Sequence, residues 1–163
     1  HVFTRDYGLT MKSFRVLNTN HTAFTVSNLD EMLLFFRDVL GFEITPKIRH
    51  KGEVVGLMTG VEGAEVDIAF ATAPGHQIEL FQYVQPADRK VSKLRPCDAG
   101  ACHISFEVDD VDAAVAAVEA AGWKTVNGPQ IVPAGPRKGG KNAYTYSPDG
   151  IFIEFQKAPE GAK

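Results

Sequence analysis

The sequence predicts an α+β protein that consists of two copies of one strand–helix–strands module. Three observations lead to this prediction: one phrase occurs twice, a helical pattern follows each copy of it, and a run of strands follows each helix. The phrase reads NHTAFTVSNLD at 20–30 and CHISFEVDDVD at 102–112, with histidine in second place both times. We therefore align His21 with His103 and interpret the chain as an internal duplication.

The repeated phrase predicts the first strand of each module. Its side chains alternate between an apolar and a polar face, which is the pattern of a half-buried strand. The apolar face carries Thr22, Phe24 and Val26 in the first copy and Ile104, Phe106 and Val108 in the second. His21 and His103 therefore lie on the face that points away from the core.

A helix is expected after each of these strands. The stretch 29–41 has apolar residues at helical spacing and ends at Gly41, and the alanine-rich stretch 111–122 ends at Gly122. Glycine directly after a helix is a common stop signal. The candidate N-caps are Asn28 or Asp30 in the first module and Asp109 or Asp110 in the second.

Several short strands should follow each helix. We expect them near 43–49, 65–71 and 77–83, with 53–58 as an extra piece, and near 124–126, 143–146 and 151–157. These assignments give a first module at 17–84, a linker at 85–100 and a second module at 101–157. Residues 1–16 are then an N-terminal extension or residues added for expression, and 158–163 form a C-terminal tail.

Composition narrows the class of protein. The 163 residues are 44% hydrophobic and 23% charged, which is ordinary for a globular domain, and the net charge of −3 argues against nucleic-acid binding. We find no apolar run long enough to cross a bilayer, and we expect neither a membrane partner nor a secretory signal. Cys97 and Cys102 are too few for a disulfide scaffold, so we expect reduced thiols in a cytoplasmic protein, with a disulfide between the two as the alternative.

Each module also carries a glutamate in the middle of an apolar strand: Glu79 in QIELFQ and Glu154 in FIEFQ. Because burying an unpaired carboxylate is costly, such a residue normally has a partner or a metal. Pairing of the modules about a pseudo-twofold axis would bring His21, Glu79, His103 and Glu154 together. Two imidazoles and two carboxylates suit a divalent transition metal: Zn, Ni, Co, Fe or Mn. The alternative is that each is a hydrogen-bonded polar residue of its own strand.

Four motifs carry a family resemblance: NHTAFTVSNLDEMLLFFRDVLGFEI, QIELFQY, CHISFEVDDVDAAVAAVEAAG and YSPDGIFIEF. Over about 17–157 the chain resembles the vicinal oxygen chelate superfamily, which includes glyoxalase I, methylmalonyl-CoA epimerase, extradiol dioxygenases and bleomycin-resistance proteins. The resemblance implies paired βαβββ modules whose curved mixed sheets enclose a metal cavity. It also implies that His21, Glu79, His103 and Glu154 are the metal ligands.

The set of four residues is most similar to that of bacterial glyoxalase I. The related epimerases usually have glutamine at the Glu79 position, extradiol dioxygenases use the equivalents of His21, His103 and Glu154, and bleomycin-binding members lack the metal set. The resemblance thus implies a metal-dependent lyase or isomerase of the glyoxalase I type that acts on a small oxygenated substrate. The alternatives are a ferrous extradiol-type dioxygenase, and an epimerase-like enzyme or a non-catalytic small-molecule binder.

The chemistry of the family assigns roles to three residues. A chelated metal stabilises an enediolate or similar oxyanion while a carboxylate moves a proton next to the carbonyl. Glu154 matches the base position, and Glu79 faces it and could return the proton. Tyr144 stands ten residues before Glu154, where dioxygenases have a tyrosine; the alternative is a half-buried strand aromatic.

The loop at 133–143 supplies candidate substrate-binding residues. Its glycines surround Arg137, Lys138 and Lys141, which could close over the cavity and grip an anionic substrate tail; the alternative is a solvated loop. Members of the superfamily often form dimers, sometimes by exchanging modules. We therefore expect a homodimer, with the site built either within one chain or between two.

Overall fold

The computed structural model describes residues 14–161 as two five-stranded sheets that are curved rather than closed. The first module contains β1 (His21–Thr25), α1 (Leu29–Leu34), a π-helical turn (Phe35–Val39), β2 (Glu43–Ile44), β3 (Ile48–Lys51), α2 (Glu53–Thr59), β4 (Glu65–Ala73) and β5 (His76–Gln85). The second module contains β6 (His103–Glu107), α3 (Val111–Ala120), β7 (Lys124–Thr125), β8 (Gln130–Ile131), β9 (Lys141–Tyr146) and β10 (Phe152–Lys157). The extension predicted at 1–16 and the tail predicted at 158–163 lie partly outside the described residues.

Both sheets have the same topology. The strand orders are β1-β5-β4-β2 and β6-β10-β9-β7, with β3 also on β4 and β8 also on β9. The pairs β1–β5 and β6–β10 are parallel, and the others are antiparallel. In each sheet two short strands pair with the same neighbour and together form one outer strand: β2 and β3 on β4, and β7 and β8 on β9. Each module is therefore βαβββ in outline. This confirms the predicted duplication and the α+β fold.

The outer strand of each sheet is more broken than the sequence pattern predicts. The stretch 43–49 is divided into β2 and β3, with Pro46 in the gap, and proline has no N–H to donate to a neighbouring strand. The two-residue strand β8 is absent from the prediction, because two residues carry no alternation that a pattern could detect.

The extra strand predicted at 53–58 is wrong, because these residues form helix α2. The helix begins after Gly52 and ends at Gly60, whose φ of 71° is the left-handed conformation that glycine adopts readily. The run EVVGLM is short and apolar, and such a run does not distinguish a strand from a helix by periodicity. None of the α2 side chains is buried.

The predicted caps are present at the start of α1 and α3. The Asn28 side chain accepts a hydrogen bond from the Glu31 N–H (3.2 Å), and the Asp110 carboxylate accepts one from the Ala113 N–H (3.0 Å). The bond from the Ala113 N–H also lowers the pKa of Asp110. Asn28 and Asp110 are therefore the N-caps, rather than Asp30 and Asp109.

One hydrophobic core joins the two modules on the helix side of their sheets. Phe35 stacks on Trp123 with ring centroids 4.1 Å apart, and Phe42 meets Phe106 edge-on at 5.3 Å. Both pairs join the first module to the second. Phe35 and Trp123 belong to one cluster of buried side chains, and Phe42 and Phe106 are partly buried against it. The other face of each sheet carries mainly half-buried and exposed side chains, with Phe152 and Glu154 buried, and we call it the open face.

Two expectations from composition can be compared with the fold. Cys97 and Cys102 are exposed and not joined to each other, as expected for free thiols. No helix in the part of the chain between residues 14 and 161 has the length and hydropathy needed to cross a bilayer.

Candidate metal-binding site

His21 and Glu79 form a pair on the open face of the first sheet. His21 begins β1 and Glu79 lies in the middle of β5, beside Ala23 in the parallel register. The His21 Nε2 atom is 2.9 Å from Glu79 Oε2, and the glutamate side chain is only 13% exposed. The other ring nitrogen, Nδ1, is 2.7 Å from the Asn20 side-chain oxygen. That contact holds the imidazole ring with Nε2 towards the carboxylate.

His103 and Glu154 form the equivalent pair in the second sheet. Here His103 Nε2 lies 3.6 Å from Glu154 Oε2, and the Glu154 side chain is 11% exposed. Asn142 donates a hydrogen bond from its amide to the other carboxylate oxygen, Oε1, at 3.0 Å. The Tyr144 hydroxyl is 3.3 Å from His103 Nε2. This second pair is therefore surrounded by more hydrogen-bonding groups than the first.

An aromatic ring lies opposite each glutamate. Phe70 pairs with Glu79 in the β4–β5 register, and Tyr144 pairs with Glu154 in the β9–β10 register. Each ring packs edge-on against the histidine of its own module, at 6.3 Å for Phe70 and 5.0 Å for Tyr144. Burial, together with the charge of Glu154, raises the pKa of Tyr144. The phenol therefore stays protonated and available as a donor at neutral pH.

The donor atoms of each pair have a spacing that suits one metal ion. Metal bonds of about 2.0–2.2 Å at angles of about 90–110° place neighbouring donors about 2.8–3.6 Å apart. The observed nitrogen–oxygen distances are 2.9 Å and 3.6 Å. Within residues 14–161, neither carboxylate forms an ion pair with lysine or arginine. Each pair thus supplies one imidazole and one carboxylate with no competing cation, which fits half of a divalent metal site.

The two pairs do not form one cluster in the single chain. In the described part of the chain, no group of three or more His, Cys, Asp or Glu side chains is gathered so as to hold a metal ion. We call these two separate His–Glu pairs, one on each open face, the half-sites. The meeting of all four residues at one metal remains a prediction.

The three cations predicted on the loop at 133–143 occupy different places. The Lys141 ammonium contacts Asp112, and Lys141 lies on the helix side of β9. Arg137 points its Nη2 atom towards Glu107 Oε2, at 3.7 Å, on the open-face side of β6. Lys138 is exposed. Of the three, Arg137 is the one that the structure places beside the second open face.

Four residues near the half-sites are absent from the sequence prediction: Asn20, Ser105, Asn142 and Gln156. Alternation along the strands does contain a signal for three of them. Ser105 and Gln156 each follow a predicted ligand by two positions, and Asn142 precedes Tyr144 by two, so all three share the open face. For Asn20, which precedes β1, the strand pattern gives no signal.

A cavity of about 720 Å³ lies elsewhere, between the linker and the two modules. Its walls include Val91 and Leu94 from the linker, Tyr83 from β5 and Phe152 from β10. None of the four predicted ligands lines it. The half-sites therefore lie outside this cavity.

Comparison with known proteins identifies the sequence family and shows the same βαβββ fold in solved structures. The sequence model of the Glyoxalase/Bleomycin resistance protein/Dioxygenase superfamily matches residues 18–155. A 2-epi-5-epi-valiolone epimerase from an Actinomyces species is 31% identical over 148 residues, which cover 88% of this chain and 80% of that protein. A lactoylglutathione lyase from Haemophilus influenzae is 27% identical over 142 residues, covering 83% of this chain and 88% of the relative.

Solved structures show the same fold. The crystal structure of a glyoxalase family protein from Bacillus cereus aligns with a TM-score of 0.77 at 22% identity, over 91% of this chain and 99% of that one. A glyoxalase/dioxygenase from Nostoc punctiforme aligns with a TM-score of 0.59 at 21% identity, over 93% of this chain and 100% of that one. At these identities the structural likeness shows the shared architecture.

Proposed function

Because the chain belongs to the Glyoxalase/Bleomycin resistance protein/Dioxygenase superfamily, we propose that it is a metal-dependent isomerase or lyase. In this proposal the enzyme moves a proton next to a carbonyl group of a small oxygenated substrate. The observation that carries the proposal is the presence of one His–Glu pair at equivalent positions of both modules. A divalent metal held by these four residues would supply Lewis-acid stabilisation of the oxyanion that develops on the carbonyl.

We assign the proton transfer to the two glutamates. Glu154 is held in place by the Asn142 amide at Oε1, and its other oxygen, Oε2, would serve both as a metal ligand and as the acceptor of a proton from the carbon beside the carbonyl. Glu79 approaches from the other module and returns the proton. Both side chains are largely shielded from water, which keeps the transferred proton from exchanging freely with solvent.

The relatives support this class of reaction. One is an epimerase and another is a lyase, and both matches cover more than four fifths of this chain. Epimerisation inverts a carbon centre, which requires loss of a proton on one side of the substrate and its return on the other. Two carboxylates from two modules provide that arrangement.

We further propose that two copies of the chain complete the site. Within one chain the modules meet through side chains on the helix side of their sheets, and within the described residues the His–Glu pairs are not gathered into one group. If the first open face of one copy pairs with the second open face of another, all four ligands converge on one metal. A symmetric dimer of this kind holds two equivalent sites, and each needs both chains.

Elemental analysis of the purified protein tests the metal site. We expect one divalent transition metal per chain in the native protein, and at least about tenfold weaker metal binding in His21→Ala and in Glu154→Gln. His50→Ala is the matched control, because His50 is an exposed histidine on β3 outside the half-sites. Full metal content in both ligand variants would contradict the proposal, as would iron-dependent oxygen uptake with a catechol.

A further inference from the structure

The cavity between the linker and the two modules takes no part in the proposed metal site. Its volume of about 720 Å³ is within the range of about 300–1,000 Å³ that is usual for small-molecule sites. One part of its wall is the linker at 85–100, another is the end of β1, and a third is the turn that leads into β10. A ligand in this cavity would therefore contact both modules and the segment that joins them.

Most of the cavity wall is apolar. The modules contribute Phe24, Tyr83 and Ile151, and the linker contributes Val91 and Leu94. The side chains of Val91 and Leu94 are 54% and 40% exposed, so they leave hydrocarbon in contact with water. A hydrocarbon group bound in the cavity would remove this surface from water, which favours binding.

The linker also brings positive charge to the wall, because Arg89 and Lys90 both line the cavity. The Arg89 Nη1 atom donates hydrogen bonds to the carbonyl oxygens of Val84 and Pro86, at 3.1 and 3.0 Å, which hold the guanidinium beside Pro86. Within residues 14–161, neither Arg89 nor Lys90 forms an ion pair with a carboxylate. The linker side of the cavity thus carries two positive charges that no described carboxylate neutralises.

The acidic side chain in the wall, Asp149, already has partners. One of its carboxylate oxygens accepts a hydrogen bond from the Ser27 backbone N–H at 2.8 Å, and the other accepts one from the Ser27 hydroxyl at 2.5 Å. Asp149 therefore joins the two modules and is not paired with the cations of the linker. A ligand that complements this wall would be negative on the linker side and hydrocarbon elsewhere.

We propose that the cavity is a second binding site and that its ligand is a small amphipathic carboxylate. The carboxylate group binds to Arg89 and Lys90 through charge-assisted hydrogen bonds, and the hydrocarbon part lies against Phe24, Val91 and Leu94. The site is separate from the proposed metal site, because the half-sites lie outside the cavity. Binding there ties the linker to both modules.

Calorimetric binding of octanoate and octanamide to the native protein tests the inference. The two probes have the same hydrocarbon chain and nearly the same shape of head group, but only octanoate is charged. We expect octanoate to bind at least about tenfold more tightly, which is about the ratio that one hydrogen bond to a charged group provides. His21→Ala should bind octanoate as the native protein does, because His21 does not line the cavity.

Variants connect the preference for octanoate to the linker. Arg89→Gln/Lys90→Gln should remove most of this preference and leave the binding of octanamide unchanged. Lys51→Gln/Lys124→Gln is the matched control, because it removes the same charge from two exposed lysines, on β3 and β7, that do not line the cavity. The control should keep the preference.

The two cysteines report where octanoate binds. Both thiols are free and exposed, but Cys102 lines the cavity and Cys97 does not. Octanoate at about ten times its dissociation constant should slow the alkylation of Cys102 by iodoacetamide about tenfold, because about nine tenths of the cavities are then occupied. Alkylation of Cys97, followed by mass spectrometry in the same samples, should be unchanged.

The inference is overturned if octanoate and octanamide bind equally, if the linker variant keeps the preference, or if octanoate does not protect Cys102. Loss of octanoate binding in His21→Ala would also overturn it, because the carboxylate would then be bound at the metal. Metal content measured on the same samples reports separately on the proposed function. A fully metal-loaded protein that does not bind octanoate contradicts the second site alone.

Discussion

Tyr144 and Phe70 lie opposite the two glutamates at equivalent positions, yet only Tyr144 carries a hydroxyl group. That hydroxyl is 3.3 Å from His103 Nε2, and burial together with Glu154 raises its pKa. A phenol that stays protonated beside the proposed metal ligands can donate a hydrogen bond to developing charge on the substrate. Because Phe70 packs against His21 without a hydroxyl, packing alone does not require one.

The first prediction concerns the hydroxyl group of Tyr144. Tyr144→Phe should keep the metal content and the thermal stability of the protein, because phenylalanine fills the equivalent place in the first module. It should lower the rate of solvent-deuterium exchange into hydroxyacetone, a small α-hydroxy ketone, by about 10²-fold, the usual contribution of one acid–base group.

Tyr146→Phe is the control for this measurement, because Tyr146 lies on the same strand and the same face, two positions away. An unchanged exchange rate in Tyr144→Phe would show that Tyr144 is only a half-buried strand aromatic.

At the scale of elements, the helix predicted at 29–41 changes its winding part of the way along. It is α-helical over Leu29–Leu34 and π-helical over Phe35–Val39, where the Leu40 N–H donates to the Phe35 carbonyl at 3.3 Å. In the wider turn, the adjacent residues Phe35 and Phe36 are both buried, at 6% and 1% exposure. Phe35 stacks on Trp123 of the second module, while Phe36 stacks on Phe42 of the first.

Patterns in the sequence predict the elements that have a clear period and fail where the element is short. Alternation places Glu79 and Glu154 on the correct strands and faces, and the glycine stops locate the ends of both long helices. The run 53–58 is misassigned because helix α2, which contains it, has only seven residues and no buried side chain, so neither a strand period nor a helix period is decisive. The π-helical winding is also beyond the sequence pattern, since it accompanies a tertiary contact with Trp123.

The Phe35–Trp123 stack leads to a prediction about folding. Phe35→Ala should lower the free energy of unfolding by about 3–5 kcal/mol, because it leaves a cavity where the two modules meet. Denaturant unfolding followed by Trp123 fluorescence should coincide with unfolding followed by circular dichroism, since the chain has a single tryptophan and one shared core.

Leu34→Ala is the control at the neighbouring residue, whose side chain is 46% exposed. It should lower the free energy of unfolding by only about 0.5–1 kcal/mol. Two separate transitions in the native protein, or equal losses in the two variants, would contradict a common core between the modules.

At the scale of the whole molecule, the way in which the modules meet decides how a site can form. They are joined by the helix-side core and by Ser27 after β1, which donates from its backbone N–H to Asp149 at 2.8 Å. Both contacts leave the open faces free to meet a second copy. The proposed dimer thus explains why one chain carries complete pairs of ligands but no group of three within its described residues.

The site illustrates what the sequence can and cannot predict. Alternation and the repeat identify which side chains share a face, because those features are local. Which face meets which module is set by contacts between residues far apart in the chain, such as Phe35 and Trp123. Strand patterns therefore do not show how modules or chains associate, which is what decides whether the four predicted ligands converge.

Metal content of a mixed dimer tests the central claim, that two copies build one site. A His21→Ala chain and a Glu154→Gln chain, carrying different affinity tags, are co-expressed and the mixed dimer is purified. If each site combines the first module of one chain with the second module of the other, one site has both substitutions and the other has none. The account predicts one tightly bound metal ion per mixed dimer, two per native dimer and strongly reduced metal content in either variant alone. A mixed dimer without metal, beside a fully loaded native protein, would contradict it.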